Sequence, residues 1–234
     1  GYDEFSIKGS IPDPALFAVQ YFTNYLNNNG VEITGRASKI KSPKDYIENQ
    51  LIHVEYSPPL REINYIINKK SFNLYAEQIL IAIGYEKYGK AEREAGIKYV
   101  NKFLENNNIN TDGLMLYDGS GLSRSNAITT KLMSQMLQAV TKKDYFEDFY
   151  YSMSLAGDPD DIGYFSYFGN GTVIDENVKI KSGSIANVKS HHGYLKDQSG
   201  DFITFSFIAN NFSCEGSLIT EIHKKLLIYL AKIE

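Results

Sequence analysis

Lys181-Ser182-Gly183-Ser184 closes a β-branched run that begins at Val178, and gathers a cation, two hydroxyls and a glycine within four positions. Gly183 leaves room for a substrate to approach the backbone closely. Lys181 offers a positive point charge and Ser184 a hydroxyl, a pair suited to an acyl substrate that ends in a carboxylate. Ser71-Phe72-Asn73 places one hydroxyl and one carboxamide at the head of a helical run. Ser71 reads there either as an N-cap or as a proton relay, and Asn73 either as a first-turn residue or as a hydrogen-bonding group for a substrate amide. A third stretch, Asp118-Gly119-Ser120-Gly121-Leu122-Ser123-Arg124-Ser125-Asn126, has turn chemistry, in which Asp118, Ser123 and Asn126 can brace a neighbouring site. Taken singly, each stretch also fits an ordinary strand end, helix cap or turn.

Other chemistries find less support. Cys214 is the single cysteine, so it has no internal disulfide partner and no second thiol for a metal site. His191 and His192 are adjacent on an expected strand and so point to opposite faces, which argues against a joint metal site. A net charge of −4 without a basic cluster makes nucleic acid a poor partner. No apolar run reaches the ~18 residues of a membrane-spanning helix. The start, Gly1-Tyr2-Asp3-Glu4, has neither a signal peptide's pattern nor an initiator Met, and reads as a chain processed or cut from a longer one.

The 234 residues, 43% of them hydrophobic, suffice for one large domain with a sizeable core. Apolar spacing predicts helices over 14–27, from 60 to the run Asn68-Lys69-Lys70, from Ser71 to a stop at Gly84, over 90–106, from Thr129 or Thr130 through 140, over 144–155, and from Gly216 to the end. Strands are expected at 31–35, 52–56, 114–117, 178–184, 190–197 and 202–210. Residues 38–43 read as a polar loop and 157–177 as an irregular surface excursion. The unbroken run Phe202-Ile203-Thr204-Phe205-Ser206-Phe207-Ile208 suggests a strand buried on both faces.

Together the three stretches resemble the D-alanyl-D-alanine carboxypeptidases of the penicillin-binding protein 4 family (peptidase family S13), whose motifs are Ser-x-x-Lys, Ser-x-Asn and Lys-Thr-Gly. Ser71-Phe72-Asn73, with the following Leu74-Tyr75-Ala76-Glu77, matches the second motif. Lys181-Ser182-Gly183 matches the third with Ser in place of Thr, and Asp118-Gly119-Ser120-Gly121-Leu122-Ser123 is a family hallmark between them. The likeness runs from about Ser10 to the C-terminus. The first motif is the departure: its literal match, Ser38-Lys39-Ile40-Lys41, lies in a polar loop, whereas the family's nucleophile opens a buried helix. A milder departure follows Leu155-Ala156-Gly157, where the family usually continues Asp-Gly-Thr and this chain has Asp158-Pro159-Asp160-Asp161.

The resemblance implies an α/β (α+β) fold of the penicillin-binding transpeptidase/β-lactamase kind, present in part, with an antiparallel sheet covered by helices. Residues 1–59 would be a remnant of an inserted domain and linker, and residues 60–234 the C-terminal part of the transpeptidase-like domain. The implied activity is serine-type hydrolysis of the D-Ala–D-Ala bond of peptidoglycan stem peptides, or of cross-links, in the bacterial periplasm or cell envelope. It needs no metal or organic cofactor, and β-lactams would acylate the same serine. Ser71, Asn73 and Lys181 take catalytic roles by this resemblance, Ser182, Gly183 and Ser184 bind substrate, and Asp118, Ser123 and Asn126 support. The nucleophile segment would lie outside this chain. The alternative is a catalytically inactive homologue that binds peptidoglycan or serves as an envelope scaffold. Three strands from a five-stranded sheet would leave 202–210 as an open edge, covered by a second copy of the chain or by an N-terminal segment, or removed by a rearranged sheet.

Overall fold

A computed structural model describes residues 9–39 and 53–233, and the chain divides after Tyr56 into two compact units. In the first, α1 (Pro14–Asn28) opens on a proline, with the Asp13 carboxylate accepting from Leu16 N at 3.1 Å. Val31 to Gly35, expected as a strand, has no regular structure. Alternation makes a strand only where a second strand offers a ladder. Of the other expected strand, Ile52 lies outside the described residues and 53–56 are irregular. Of the 38–43 loop, Ser38 and Lys39 are described and irregular, and the rest lies outside the described residues.

The second unit begins with helices. Pro58-Pro59 leads into α2 (Leu60–Lys70), which carries Glu62 in its first turn and Lys69 and Lys70 in its last, a charge order that complements the helix dipole. Ser71 does not cap the next helix, as its sequence position suggests. It ends α2 in the left-handed conformation, and α3 (Asn73–Tyr88) starts two residues later. Nor does Gly84 terminate α3, which runs on to Tyr88 and stops at Gly89 (φ 67°). A Cβ at Gly84 would lie 2.8 Å from the carbonyls of Lys90 and Glu92, so this glycine lets α4 (Arg93–Asn106) pack closely. The expected strand at 114–117 is a single bridge, Met115 to Ala127, that pinches the intervening loop at its base. Thr129 then caps α5 (Thr130–Val140) by accepting from Leu132 N.

The expected helix over 144–155 is shorter, α6 (Phe146–Ser152), and its tail becomes β1 (Ser154–Leu155). Among the described residues the sheet therefore has four antiparallel strands rather than three, in the order β1, β2 (Val178–Ile185), β3 (Val188–Lys196), β4 (Phe202–Asn210). One face packs Val178, Ile180, Leu195 and Phe205 against Leu227 and Ala231 at the end of α7 (Gly216–Leu230). Ile174 and Phe165 join this core, so the irregular 157–177 segment is partly interior. On the other face Tyr194 sits among Leu137, Val140, Phe146 and Met153 and donates to Leu137 O at 2.8 Å. Of the β4 side chains only Phe205 is fully buried, because β4 is the sheet's last strand among the described residues rather than a central one. No helix among the described residues is long and apolar enough to cross a membrane.

Candidate active site

A cleft of about 760 Å³ opens between the α2–α3 junction, the 118–126 loop and the far half of β2. It brings together Ser71, Asn73, Asp118, Ser123, Asn126, Lys181, Ser182, Gly183 and Ser184, all singled out by residue type and spacing. A more apolar groove of about 920 Å³ lies along α2, α3 and α6 and carries none of these residues.

Strand alternation decides what faces the cleft. Lys181 pairs across the ladder with His192, and both share the face that bears Tyr194. Lys181 Nζ donates to Ser71 Oγ at 2.8 Å and to its neighbour's carbonyl, Ser182 O, at 2.6 Å. Burial pushes the Lys181 ammonium below the ordinary lysine range, so it is a poorly solvated cation with two acceptors. β1 pairs only with Lys179 and Ile180 of β2, so among the described residues the outer edge from Lys181 to Ile185 is unpaired. Backbone groups of Ser182, Gly183 and Ser184 are thereby open to an extended ligand laid along the strand. A Cβ at position 183 would come 2.7 Å from Ser190 Oγ, so any larger residue there must turn that hydroxyl aside.

Ser71 has φ 53° and ψ 50°, a left-handed backbone that non-glycine residues seldom adopt. Its exposed hydroxyl stands at the cleft floor, and Asn73 follows on the first turn of α3. The hydrogen bonds of Asp118 and Asn126 hold the loop's own turn. Asp118 accepts from Gly121 N at 2.8 Å, Ser123 N at 2.6 Å and Asn126 Nδ2 at 2.8 Å, and Asn126 Oδ1 accepts from Tyr117 N at 2.8 Å. Burial raises the Asp118 carboxyl, but these bonds outweigh it and the net shift is downward.

Two further residues belong to the site: His192, and Glu77 from the run that follows Asn73. Glu77 anchors the loop to α3, accepting from Gly119 N, Ser120 N and Ser120 Oγ at 3.2, 3.0 and 2.7 Å. It lies one helical turn beyond Asn73, a spacing that could have flagged it. His192 lines the cleft beside Lys181 with Nδ1 2.9 Å from Ser206 Oγ. Burial first, then the charges of Lys181 and His223, hold its pKa at about 4, so the imidazole is neutral at pH 7. His191 points the other way, its Nδ1 2.8 Å from His223 Nδ1. Among the described residues no three His, Cys, Asp or Glu side chains form a group that could hold a metal ion.

A family model described as the D-Ala-D-Ala carboxypeptidase 3 (S13) family matches residues 2–232. The chain is 29% identical over 228 residues to a D-alanyl-D-alanine carboxypeptidase of Actinomadura sp. (strain R39), covering 91% of this chain and 42% of that relative. Among solved structures it is similar to penicillin binding protein 4 from Haemophilus influenzae, complexed with a β-lactam. The TM-score is 0.84 at 24% identity, over 100% of this chain and 55% of that one. The TLA-3 extended-spectrum β-lactamase matches with a TM-score of 0.51 at 15% identity, over 74% of this chain and 64% of that one. These likenesses place the helices and antiparallel sheet in the penicillin-binding and β-lactamase-like fold, in part. The chain spans less than half the length of the curated relatives it matches.

Proposed function

Because the chain belongs to the D-Ala-D-Ala carboxypeptidase 3 (S13) family, we propose that it supplies the second and third motifs of a serine-type D-Ala-D-Ala carboxypeptidase or endopeptidase acting on peptidoglycan stem peptides. The observation that carries this reading is the Lys181–Ser71 hydrogen bond, formed in a cleft that also holds Asn73 and the open edge of Ser182-Gly183-Ser184. The nucleophilic serine belongs to a Ser-x-x-Lys segment outside these 234 residues. Residues 60–234 are then the C-terminal part of the catalytic domain and residues 1–59 a remnant of an inserted domain with its linker. The site of action is the bacterial periplasm or cell envelope.

In this scheme the absent serine attacks the penultimate D-Ala carbonyl and forms an acyl-enzyme, releasing the terminal D-Ala. Ser71 Oγ passes a proton toward the leaving amine, and Lys181 Nζ, donating to that oxygen, keeps the local potential positive as charge develops. Asn73 holds the substrate's amide carbonyl. Ser182 and Ser184 hydroxyls receive the terminal carboxylate, and Ser184 N–H donates half of the oxyanion hole. Water then hydrolyses the acyl-serine. A β-lactam follows the same path to a stable adduct.

The test is a labelled penicillin added to the gene product that carries these residues, with mass spectrometry locating the adduct and D-Ala release measured in parallel. The expected label falls on a Ser-x-x-Lys serine outside the 234 residues. Label on a serine within them overturns the assignment of Ser71. A gene product that takes no label and releases no D-Ala is instead a peptidoglycan-binding or scaffold homologue.

A further inference from the structure

We infer that the buried ion pair between Lys69 and Asp161, which belongs to none of the three motifs, is the device that positions Ser71 against Lys181. The consequence for acyl transfer rests on the function proposed above, but the geometric claim does not. Lys69 lies two residues before Ser71 on the last turn of α2, and both partners of the pair are buried, at 4% and 8% exposure. Lys69 Nζ reaches Asp161 Oδ2 and stands 5.1 Å from the centre of the Tyr65 ring. The same carboxylate accepts from Leu155 N at 2.8 Å and from Gly163 N at 2.6 Å. Leu155 belongs to β1, whose residues pair with Lys179 and Ile180, directly before Lys181. Asp161 therefore joins the helix that ends in Ser71 to the strand that carries Lys181 through one carboxylate.

The neighbouring contacts repeat the tie. Asn68 Nδ2 donates to Ser152 Oγ at 2.7 Å, Lys70 Nζ donates to Ile162 O, and Tyr164 OH donates to Lys70 O at 3.4 Å. Each of the three residues before Ser71 is thus fastened to the 152–164 segment. A left-handed serine persists where its surroundings over-determine it, and these contacts supply that constraint. Stability alone does not account for the pair, since burying two charges gives back in desolvation much of what their attraction yields. Lys179, whose ammonium stands over the Tyr150 and Tyr151 rings, is held below the ordinary lysine range by burial first and then by the charge of Lys69, with Asp161 opposing. Lys69 and Asp161 are positioning residues: neither lines the cleft.

The experiment follows the Lys181 side chain by NMR in this chain, with lysine labelled at Cε and the signal assigned by Lys181→Arg. In the unaltered chain Lys181 titrates below an ordinary lysine. In Asp161→Asn, α2 is released from β1, Ser71 draws away, and the Lys181 midpoint shifts, downward from loss of the Ser71 acceptor or upward where water reaches the ammonium. Leu104→Ala, in the separate core cluster with Ile109 and Leu132, lowers the melting temperature and leaves the Lys181 midpoint in place. Lys69→Met behaves as Asp161→Asn, whereas Lys69→Arg preserves the pair and the midpoint, so this second comparison decides the matter if Asp161→Asn does not fold. A Lys181 midpoint unmoved in folded Asp161→Asn or folded Lys69→Met overturns the inference, as does an equal shift in Leu104→Ala. Failure of the gene product to bind penicillin would sink the proposed function and leave this result untouched.

Discussion

Lys181 Nζ donates to Ser71 Oγ at 2.8 Å across 110 positions of sequence, and the serine that accepts it holds φ at 53°. A left-handed serine costs roughly 1–2 kcal/mol relative to its ordinary conformations. Ser71→Gly removes that strain and adds roughly 0.5–1 kcal/mol of unfolded-state entropy cost. The melting temperature should accordingly hold or rise by a few degrees, as measured by calorimetry. The same change deletes the relay hydroxyl, so penicillin acylation of the gene product should fall by roughly 10²–10⁴-fold. A drop of many degrees would mean that the Ser71 hydroxyl holds the fold rather than serving chemistry.

Lys181→Met separates stability from function in a second way. The folded state depresses the Lys181 pKa, so between the folded and unfolded midpoints the unfolded chain binds more protons and stability rises with pH. Below that window the buried cation is a standing cost, and methionine removes it. The variant should be at least as resistant to urea at pH 7 as the parent. Acylation should fall by roughly 10²–10³-fold, the range for losing a preorganised charge at a reacting centre. Unchanged acylation would remove Lys181 from the mechanism.

Buried His191 and His223, with the half-buried His192 of the cleft, set an acid limit on the fold. Burial foremost, with nearby cations, depresses His191, His192 and His223, His192 to about 4. Their stabilising contribution is fully present above the unfolded value near 6.5 and is lost as pH falls toward the folded values. The urea midpoint should therefore decline steadily from pH 7 to pH 5. His192→Gln should flatten part of that decline, because glutamine can keep a hydrogen bond to Ser206 without titrating. The same slope in the variant as in the parent would show that other groups set the limit.

Gly119 offers a steric test of the loop. A Cβ there would lie 2.6 Å from Ala76 O on α3, so Gly119→Ala must push the loop off the helix and strain the three bonds to Glu77. A loss of roughly 1–3 kcal/mol is expected from such overpacking, read from denaturant midpoints. A neutral result would mean that the loop adapts without the Glu77 anchor.

How much of this could be read in the sequence follows from how local each signal is. Apolar spacing located the seven helices among the described residues, and all but α1 bury side chains of their own. It misplaced Ser71, which looks like an N-cap next to Asn73, because the contacts that fasten Asn68, Lys69 and Lys70 come from residues more than 80 positions away. Gly84 looked like a helix end because a glycine required by a neighbouring helix cannot be told from a terminator without that neighbour. β1 was hidden for the same reason, since two residues become a strand only against Lys179 and Ile180. The motif residues were legible by type and order. Glu77 was legible as part of the run after Asn73 but not as the anchor of the loop, and His192 was not legible, though strand alternation put it on the face of Lys181.

The last expectation concerns β4. Among the described residues Phe202–Asn210 pairs with β3 along one edge only, and Phe202 is 40% exposed at its start. Apart from Ser206 and its ends, this strand has little that discourages a further partner: it holds neither proline nor lysine, the usual protections of an open edge. In the proposed whole enzyme an N-terminal segment covers it. The 234-residue chain alone should instead pair β4 with β4 of a second copy, because a two-fold antiparallel contact satisfies both edges at once. Light scattering should then give a mass that rises toward the dimer with concentration, and the outward amides of β4 should exchange slowly in deuterium. A strict monomer whose outward β4 amides exchange freely would contradict this expectation and weaken the placement of β4 as the strand that the missing half covers.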